Sequence, residues 1–155
     1  MIEDKDLNYL REAIEASLLA KNRGNAPFGA KLVSATGETL LVAENTEVTT
    51  RDPTAHAETN LVRRTYAIDR TTLKAATLYA SGEPCPMCAG AIFNAGIGRL
   101  VFGLSQSRIL SLSAVKSRIP FSAAVLLTSA IPPVIVEGPA LEDEAEAVLL
   151  PSSQE

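Results

Sequence analysis

The chain has 155 residues, of which 46% are apolar and 21% charged, and its formal net charge is −4. This length fits one domain over residues 1–155 that buries roughly 70% of its unfolded surface. The acidic balance disfavours a nucleic-acid-binding protein, and no apolar run reaches the roughly 20 residues of a membrane helix. The acidic start MIEDKDLNYLRE does not resemble a signal peptide, so a cytoplasmic protein is expected.

The first part of the chain predicts a helix followed by a hairpin. One apolar stripe at helical spacing is formed by Leu7, Leu10, Ile14 and Leu18. This helix is expected to stop near Gly24. PFGAKLVSA (27–35) and TLLVAENT (39–46) have the composition of strands, and a short turn around Gly37 joins them.

The middle of the chain predicts two helices, each beginning at a proline. Asp52 followed by Pro53 indicates a helix start, because aspartate caps helices and proline favours the first helical position. His56 and Glu58 then fall in its opening turns. AATLYAS (75–81) predicts a strand, and Pro86 predicts a second helix that begins beside Cys85.

The last part of the chain predicts further strands and helices in alternation. IGRLVFGL (97–104) and VIVEG (134–138) read as strands, and LEDEAEAVLL (141–150) as a closing helix. Residues 105–131 predict a loop and a short helix around FSAAVLLTSA (121–130), ended by Pro132 and Pro133. The order of elements predicts a three-layer α/β/α domain with helices on both faces of a central sheet.

The chain contains one histidine, His56, and two cysteines, Cys85 and Cys88. Cysteines three residues apart in a first helical turn lie on one side of the helix and can reach one ion. Two thiolates and an imidazole suit Zn²⁺, and three protein ligands leave a fourth position for water, as in catalytic zinc sites. Zinc lowers the pKa of bound water from 15.7 toward about 7, and Glu58 is placed to carry the water proton. A C-x-x-C redox couple is an alternative, but it does not explain the H-x-E pattern.

The H-x-E and P-C-x-x-C patterns are a signature of zinc deaminases. NAPFGA, DPTAHAETN, EPCPMCAGAI and GRLVFGL resemble the cytidine/deoxycytidylate zinc deaminase superfamily, most closely its guanine deaminases and bacterial tRNA adenosine deaminases. The resemblance covers roughly residues 5–148. It implies a five-stranded mixed sheet, zinc on His56, Cys85 and Cys88, and Glu58 as the proton shuttle in the hydrolytic removal of an exocyclic amine.

The same resemblance implies three substrate contacts. Asn45 is expected to hydrogen-bond the substrate ring, the backbone N–H of Ala57 to meet a ring carbonyl, and Phe28 to line the base pocket. Members of the superfamily usually form dimers, so a homodimer is expected. The small and apolar residues of CAGAIFNAGIG (88–98) suit a helix contact between subunits, but they also suit packing on the sheet.

Three functions are open from the sequence. A free nucleobase or related heterocycle is favoured as substrate, with guanine first and cytosine or isocytosine next. Adenosine in tRNA is the alternative, but the tRNA deaminases tend to carry a basic C-terminal helix, and residues 137–155 contain no Lys or Arg. Guanine deaminases commonly close the pocket with aromatic residues in the C-terminal tail, and none follows Phe121 here. The third possibility is a non-catalytic, zinc-stabilised binding protein.

Overall fold

The computed structural model describes residues 1–112 and 117–151. The strands are β1 (Gly29–Val33), β2 (Thr39–Glu44), β3 (Thr77–Gly82), β4 (Arg99–Leu104) and β5 (Ile135–Glu137). The helices are α1 (Asp4–Asn22), α2 (Glu47–Thr50), α3 (Ala57–Arg63), α4 (Arg70–Ala75), α5 (Pro86–Ala95), α6 (Gln106–Ser111), α7 (Ala123–Thr128) and α8 (Glu142–Leu149), with a 3₁₀ turn at Thr65–Ala67. In the described part of the chain, no helix is long and apolar enough to span a membrane.

The five strands form one mixed sheet in the order β2-β1-β3-β4-β5. β1 pairs antiparallel with both β2 and β3, whereas β3, β4 and β5 run parallel. The parallel part requires crossover connections, which α5 and the segment with α6 and α7 supply. The predicted five-stranded mixed sheet is therefore confirmed.

Helices cover both faces of this sheet, as the order of elements predicted. Neighbouring residues of β3 point to opposite faces: Leu78 packs in a core cluster with Leu61 of α3 and Ile92 of α5, and Tyr79 packs in a second cluster with Leu10 of α1. This alternation follows from the two-residue period of a strand. The two clusters are the cores of a three-layer α/β/α arrangement.

The predicted start of the helix after Asp52 is wrong. The Asp52 carboxylate accepts hydrogen bonds from the backbone N–H and the hydroxyl of Thr54, at 2.8 and 2.7 Å. It therefore closes a local turn instead of capping a helix. α3 begins only at Ala57, and His56 occupies its N-cap position in extended backbone conformation.

The second proline-initiated helix is confirmed. Pro86 is the first residue of α5, Cys85 is its N-cap, and Gly96 ends the helix in the left-handed region at φ 83°. The other predicted elements are present with ends shifted by a few residues, including the short helix α7 within 121–130. α2, α4 and α6 were not predicted. Residues 113–116 of the 105–131 segment lie outside the described residues.

Candidate active site

Two helix N-termini bring the predicted metal ligands together. His56 precedes α3, and Cys85 precedes α5, which follows the carboxyl end of β3. α3 and α5 pack side by side on one face of the sheet, so their first turns lie close together. Residues separated by about 30 positions in the chain therefore share one site.

The donor atoms of these residues fit a tetrahedral ion. The Nδ1 atom of His56 lies 3.4 Å from the Sγ atom of Cys85 and 3.5 Å from that of Cys88. All three donors lie within 4.8 Å of one another. Zn–N and Zn–S bonds of about 2.0 and 2.3 Å at a tetrahedral angle would place nitrogen and sulfur about 3.5 Å apart. Two sulfurs and an imidazole in this geometry are a donor set that zinc prefers.

The two thiols have different protonation preferences. The pKa of Cys85 is lowered to about 4, chiefly because the Cys88 thiol hydrogen-bonds to its sulfur, with His56 adding to the effect. The same hydrogen bond, together with burial, raises the pKa of Cys88. The hydrogen bond with Cys85 also raises the pKa of His56. Cys85 is therefore the sulfur that becomes a thiolate first.

Glu58 lies in the first turn of α3, and its side chain is buried at 4% exposure. Burial raises the pKa of its carboxyl group, because the charged form loses its hydration. A carboxyl group that holds its proton more readily than usual is suited to donating and accepting protons near neutral pH.

A cavity of about 260 Å³ opens in front of these residues. Five of the seven predicted site residues line it: Phe28, Asn45, His56, Glu58 and Cys85. The other two, Ala57 and Cys88, have no exposed surface. As the first residue of α3, Ala57 has a backbone N–H that the helix itself does not use.

Three further charged residues line the cavity and were not predicted: Glu47, Glu83 and Arg118. The Arg118 guanidinium donates to the Gln106 side chain and to the Glu83 carbonyl, and lies 5.9 Å from the centre of the Phe28 ring. Glu83 directly precedes the proline-cysteine motif, and Glu47 follows the predicted substrate contact Asn45 by two positions. Closeness in the sequence to a predicted site residue could therefore have indicated both glutamates. Arg118 lies in a segment without such a pattern.

The buried carboxylate of Glu83 fixes the cavity wall. Its Oε2 accepts from the backbone N–H of Gln106 at 2.7 Å, and its Oε1 accepts from the Ser122 hydroxyl and the Ala123 N–H at 2.8 and 3.0 Å. Gln106 and Ala123 are the first residues of α6 and α7. One carboxylate thus binds the N-termini of two helices, where a negative charge is favourable.

Comparison with known proteins defines the class to which this fold and site belong. The profile of the family described as "Cytidine and deoxycytidylate deaminase zinc-binding region" matches residues 3–104. The chain therefore belongs to this family of zinc-binding deaminases.

Individual relatives differ in the substrate that their names give. A probable cytosine deaminase of Schizosaccharomyces pombe is 41% identical over 150 residues, covering 93% of this chain and 90% of that protein. A tRNA-specific adenosine deaminase of Bacillus subtilis is 39% identical over 100 residues, covering 64% of this chain and 62% of that protein. The structure of a guanine deaminase from Nitrosomonas europaea matches with a TM-score of 0.79 at 22% identity, covering 96% of this chain and 84% of that one, and so shares the fold.

Proposed function

We propose that the protein is a zinc-dependent aminohydrolase that removes the exocyclic amine of a free heterocyclic base. The observation that carries this proposal is the buried Glu58 carboxyl group on the wall of a small cavity, beside His56 and Cys85. His56, Cys85 and Cys88 would hold the ion. When bound, zinc supplies Lewis-acid chemistry that makes hydroxide available from water near pH 7.

The residues of the chain then handle protons and orientation. Glu58 accepts one proton of the water molecule and delivers it to the ring nitrogen beside the amine, while the water oxygen bonds to the ring carbon. It then takes the second proton of that oxygen and passes it to the amine, so that the C–N bond breaks, ammonia leaves and a ring carbonyl remains. Asn45 holds the polar edge of the ring, and Phe28 contacts its face. The raised pKa of Glu58 suits a group that must both take up and release a proton.

Three observations support a free base as substrate. The cavity of about 260 Å³ is at the small end of ligand pockets, which favours a single ring system. The net charge is −4, and residues 137–155 contain no Lys or Arg to bind phosphate. The relative named a probable cytosine deaminase aligns over 93% of the chain. Because of that alignment, we place cytosine ahead of guanine, which the sequence motifs alone had favoured.

Adenosine in tRNA is the second candidate, because the tRNA-specific relative is 39% identical over 100 residues. Ammonia release measured across cytosine, isocytosine, guanine, nucleosides and tRNA, with zinc content determined on the same sample, distinguishes the candidates. Turnover of free bases is the expected result. Inosine in tRNA without turnover of any free base, together with salt-sensitive tRNA binding, would contradict it.

Replacement of Glu58 by Gln separates an enzyme from a zinc-stabilised binding protein. Gln has nearly the same size but cannot carry a proton, so ammonia release is expected to fall by about 10³-fold or more with zinc content unchanged. Glu15→Gln, an exposed change on α1, is the matched control and should keep the wild-type rate. A Glu58→Gln variant with full activity would show that another group moves the proton.

A further inference from the structure

We propose that Glu47 is a positioning residue for His56. Its carboxylate would accept a hydrogen bond from the imidazole Nε2–H group, and this would fix the tautomer in which Nδ1 is free to bind the metal ion. The inference rests on the proposed role of His56 as a zinc ligand. It concerns a residue outside the H-x-E and C-x-x-C motifs.

The two nitrogen atoms of His56 have different neighbours. Nδ1 lies 3.4 and 3.5 Å from the two cysteine sulfurs, whereas Nε2 lies 3.3 Å from the Oε1 atom of Glu47. A neutral imidazole carries one proton, and a metal binds the nitrogen that lacks it. If Nδ1 binds the ion, the proton is on Nε2, which lies 3.3 Å from the Glu47 carboxylate, within the range of an ion pair. This is the arrangement in which an outer carboxylate orients a metal-bound histidine.

Glu47 is itself held in place from two sides. The Asn45 side-chain NH₂ group donates to its Oε1 at 2.6 Å, and the side-chain oxygen Oδ1 of Asn45 accepts a hydrogen bond from the Glu47 backbone N–H at 2.9 Å. Behind it, the Asn25 side-chain oxygen accepts the N–H groups of Val48 and Thr49, both at 3.0 Å. The carboxylate therefore faces His56 from a backbone that is fixed on both sides.

The same contacts give Asn45 a second role. It is only 1% exposed, and its two hydrogen bonds to Glu47 use one N–H and one side of its carbonyl oxygen. One N–H and one lone pair remain for the cavity that it lines. One side-chain amide thus links the proposed substrate contact to the orientation of His56.

The test uses the zinc-loaded protein with ¹⁵N-labelled histidine. Because the chain has one histidine, its NMR spectrum contains one pair of imidazole nitrogen signals, which report directly which nitrogen carries the proton. The wild-type protein should show protonated Nε2 and metal-bound Nδ1. Zinc affinity, measured by competition with a chelator, should fall about 10- to 100-fold in Glu47→Ala and change little in Glu47→Gln, which keeps an acceptor oxygen.

The control is Val48→Ala, which alters an exposed side chain of the same short helix and should leave zinc affinity unchanged. A proton on Nδ1 in the wild-type spectrum overturns the proposal without any variant. Wild-type zinc affinity in Glu47→Ala also overturns it, and so does an equal loss in Val48→Ala. All these measurements are made without substrate, so a chain that deaminates none of the bases can still pass this test.

Discussion

Replacement of Glu83 by Gln tests whether one buried carboxylate holds the cavity wall. Glu83 is 5% exposed, and its two oxygens accept three hydrogen bonds. A Gln side chain of the same size must turn its NH₂ group toward at least one N–H donor, whichever way the amide is placed. At least one charge-assisted hydrogen bond is then lost, at about 1.5–3 kcal/mol.

The loss of charge at two helix N-termini adds about 0.3–1 kcal/mol for each helix. Together these contributions lower the free energy of unfolding by about 3 kcal/mol, which corresponds to a Tm lower by about 6–12 °C for a chain of this length. The displaced wall carries Arg118, so kcat/KM for the free base should also fall about 10- to 100-fold with zinc content unchanged.

Urea unfolding followed by circular dichroism, with the steady-state rate measured on the same preparations, checks this prediction. Glu38→Gln changes an exposed carboxylate and is the matched control, expected to stay within about 0.5 kcal/mol of the wild type. A loss of less than about 1 kcal/mol in Glu83→Gln would refute the view that this carboxylate fixes α6 and α7.

Two further substitutions test the other face of the sheet. The Arg99 guanidinium donates to the buried Asp6 carboxylate and holds the pKa of Asp6 well below its ordinary value. Asp6→Asn should therefore lower the free energy of unfolding by about 3 kcal/mol at pH 7. The ion pair stabilises the wild type fully above pH 3.8, and this stabilisation is lost as the pH falls toward the folded-state pKa of Asp6. The difference in unfolding free energy between wild type and variant should therefore shrink in acid, and a difference that does not change with pH would contradict this. A Cβ atom on Gly29 would lie 2.3 Å from the Ala13 carbonyl oxygen, so Gly29→Ala should lower the free energy of unfolding, measured in urea, by about 3 kcal/mol. Gly90 has open space around it, so Gly90→Ala is the control and should cause no such loss. Equal unfolding free energies for the two variants would contradict the close packing of α1 on β1.

The proposed site residues could be predicted from short sequence motifs. His56, Glu58, Cys85 and Cys88 lie in two short motifs whose residue types already indicate a metal and a proton carrier. Pro86 also set the start of α5 correctly, because proline is favoured at a first helical position. The start of α3 was misread for a local reason as well, since the same Asp-Pro pair can close a turn, and the Thr54 donors decided in favour of the turn.

Apolar periodicity predicted α1, and the composition of the apolar runs predicted the strands, but no pattern predicted the short helices α2, α4 and α6. α2, α4 and α6 have four to six residues and, unlike the equally short α7, no apolar run that marks them in the sequence. α2 depends on Asn25, more than 20 positions earlier, and α6 begins at a residue bound by Glu83. Contacts between residues far apart in the chain thus support α2 and α6, whereas α4 is capped locally by Asp69, whose side chain accepts the Thr72 N–H.

By itself, the sequence predicted the class of fold and the residues proposed for the site, because strand and helix patterns and the ligand motifs are local properties of the chain. Only the tertiary structure decided what surrounds that chemistry. Glu47 beside the imidazole, Arg118 above Phe28 and Glu83 between two helices all lie outside the recognised motifs. Their positions depend on contacts among the loops after β2, β3 and β4 at one end of the sheet. These contacts join residues far apart in the chain, so no short stretch of sequence predicts them.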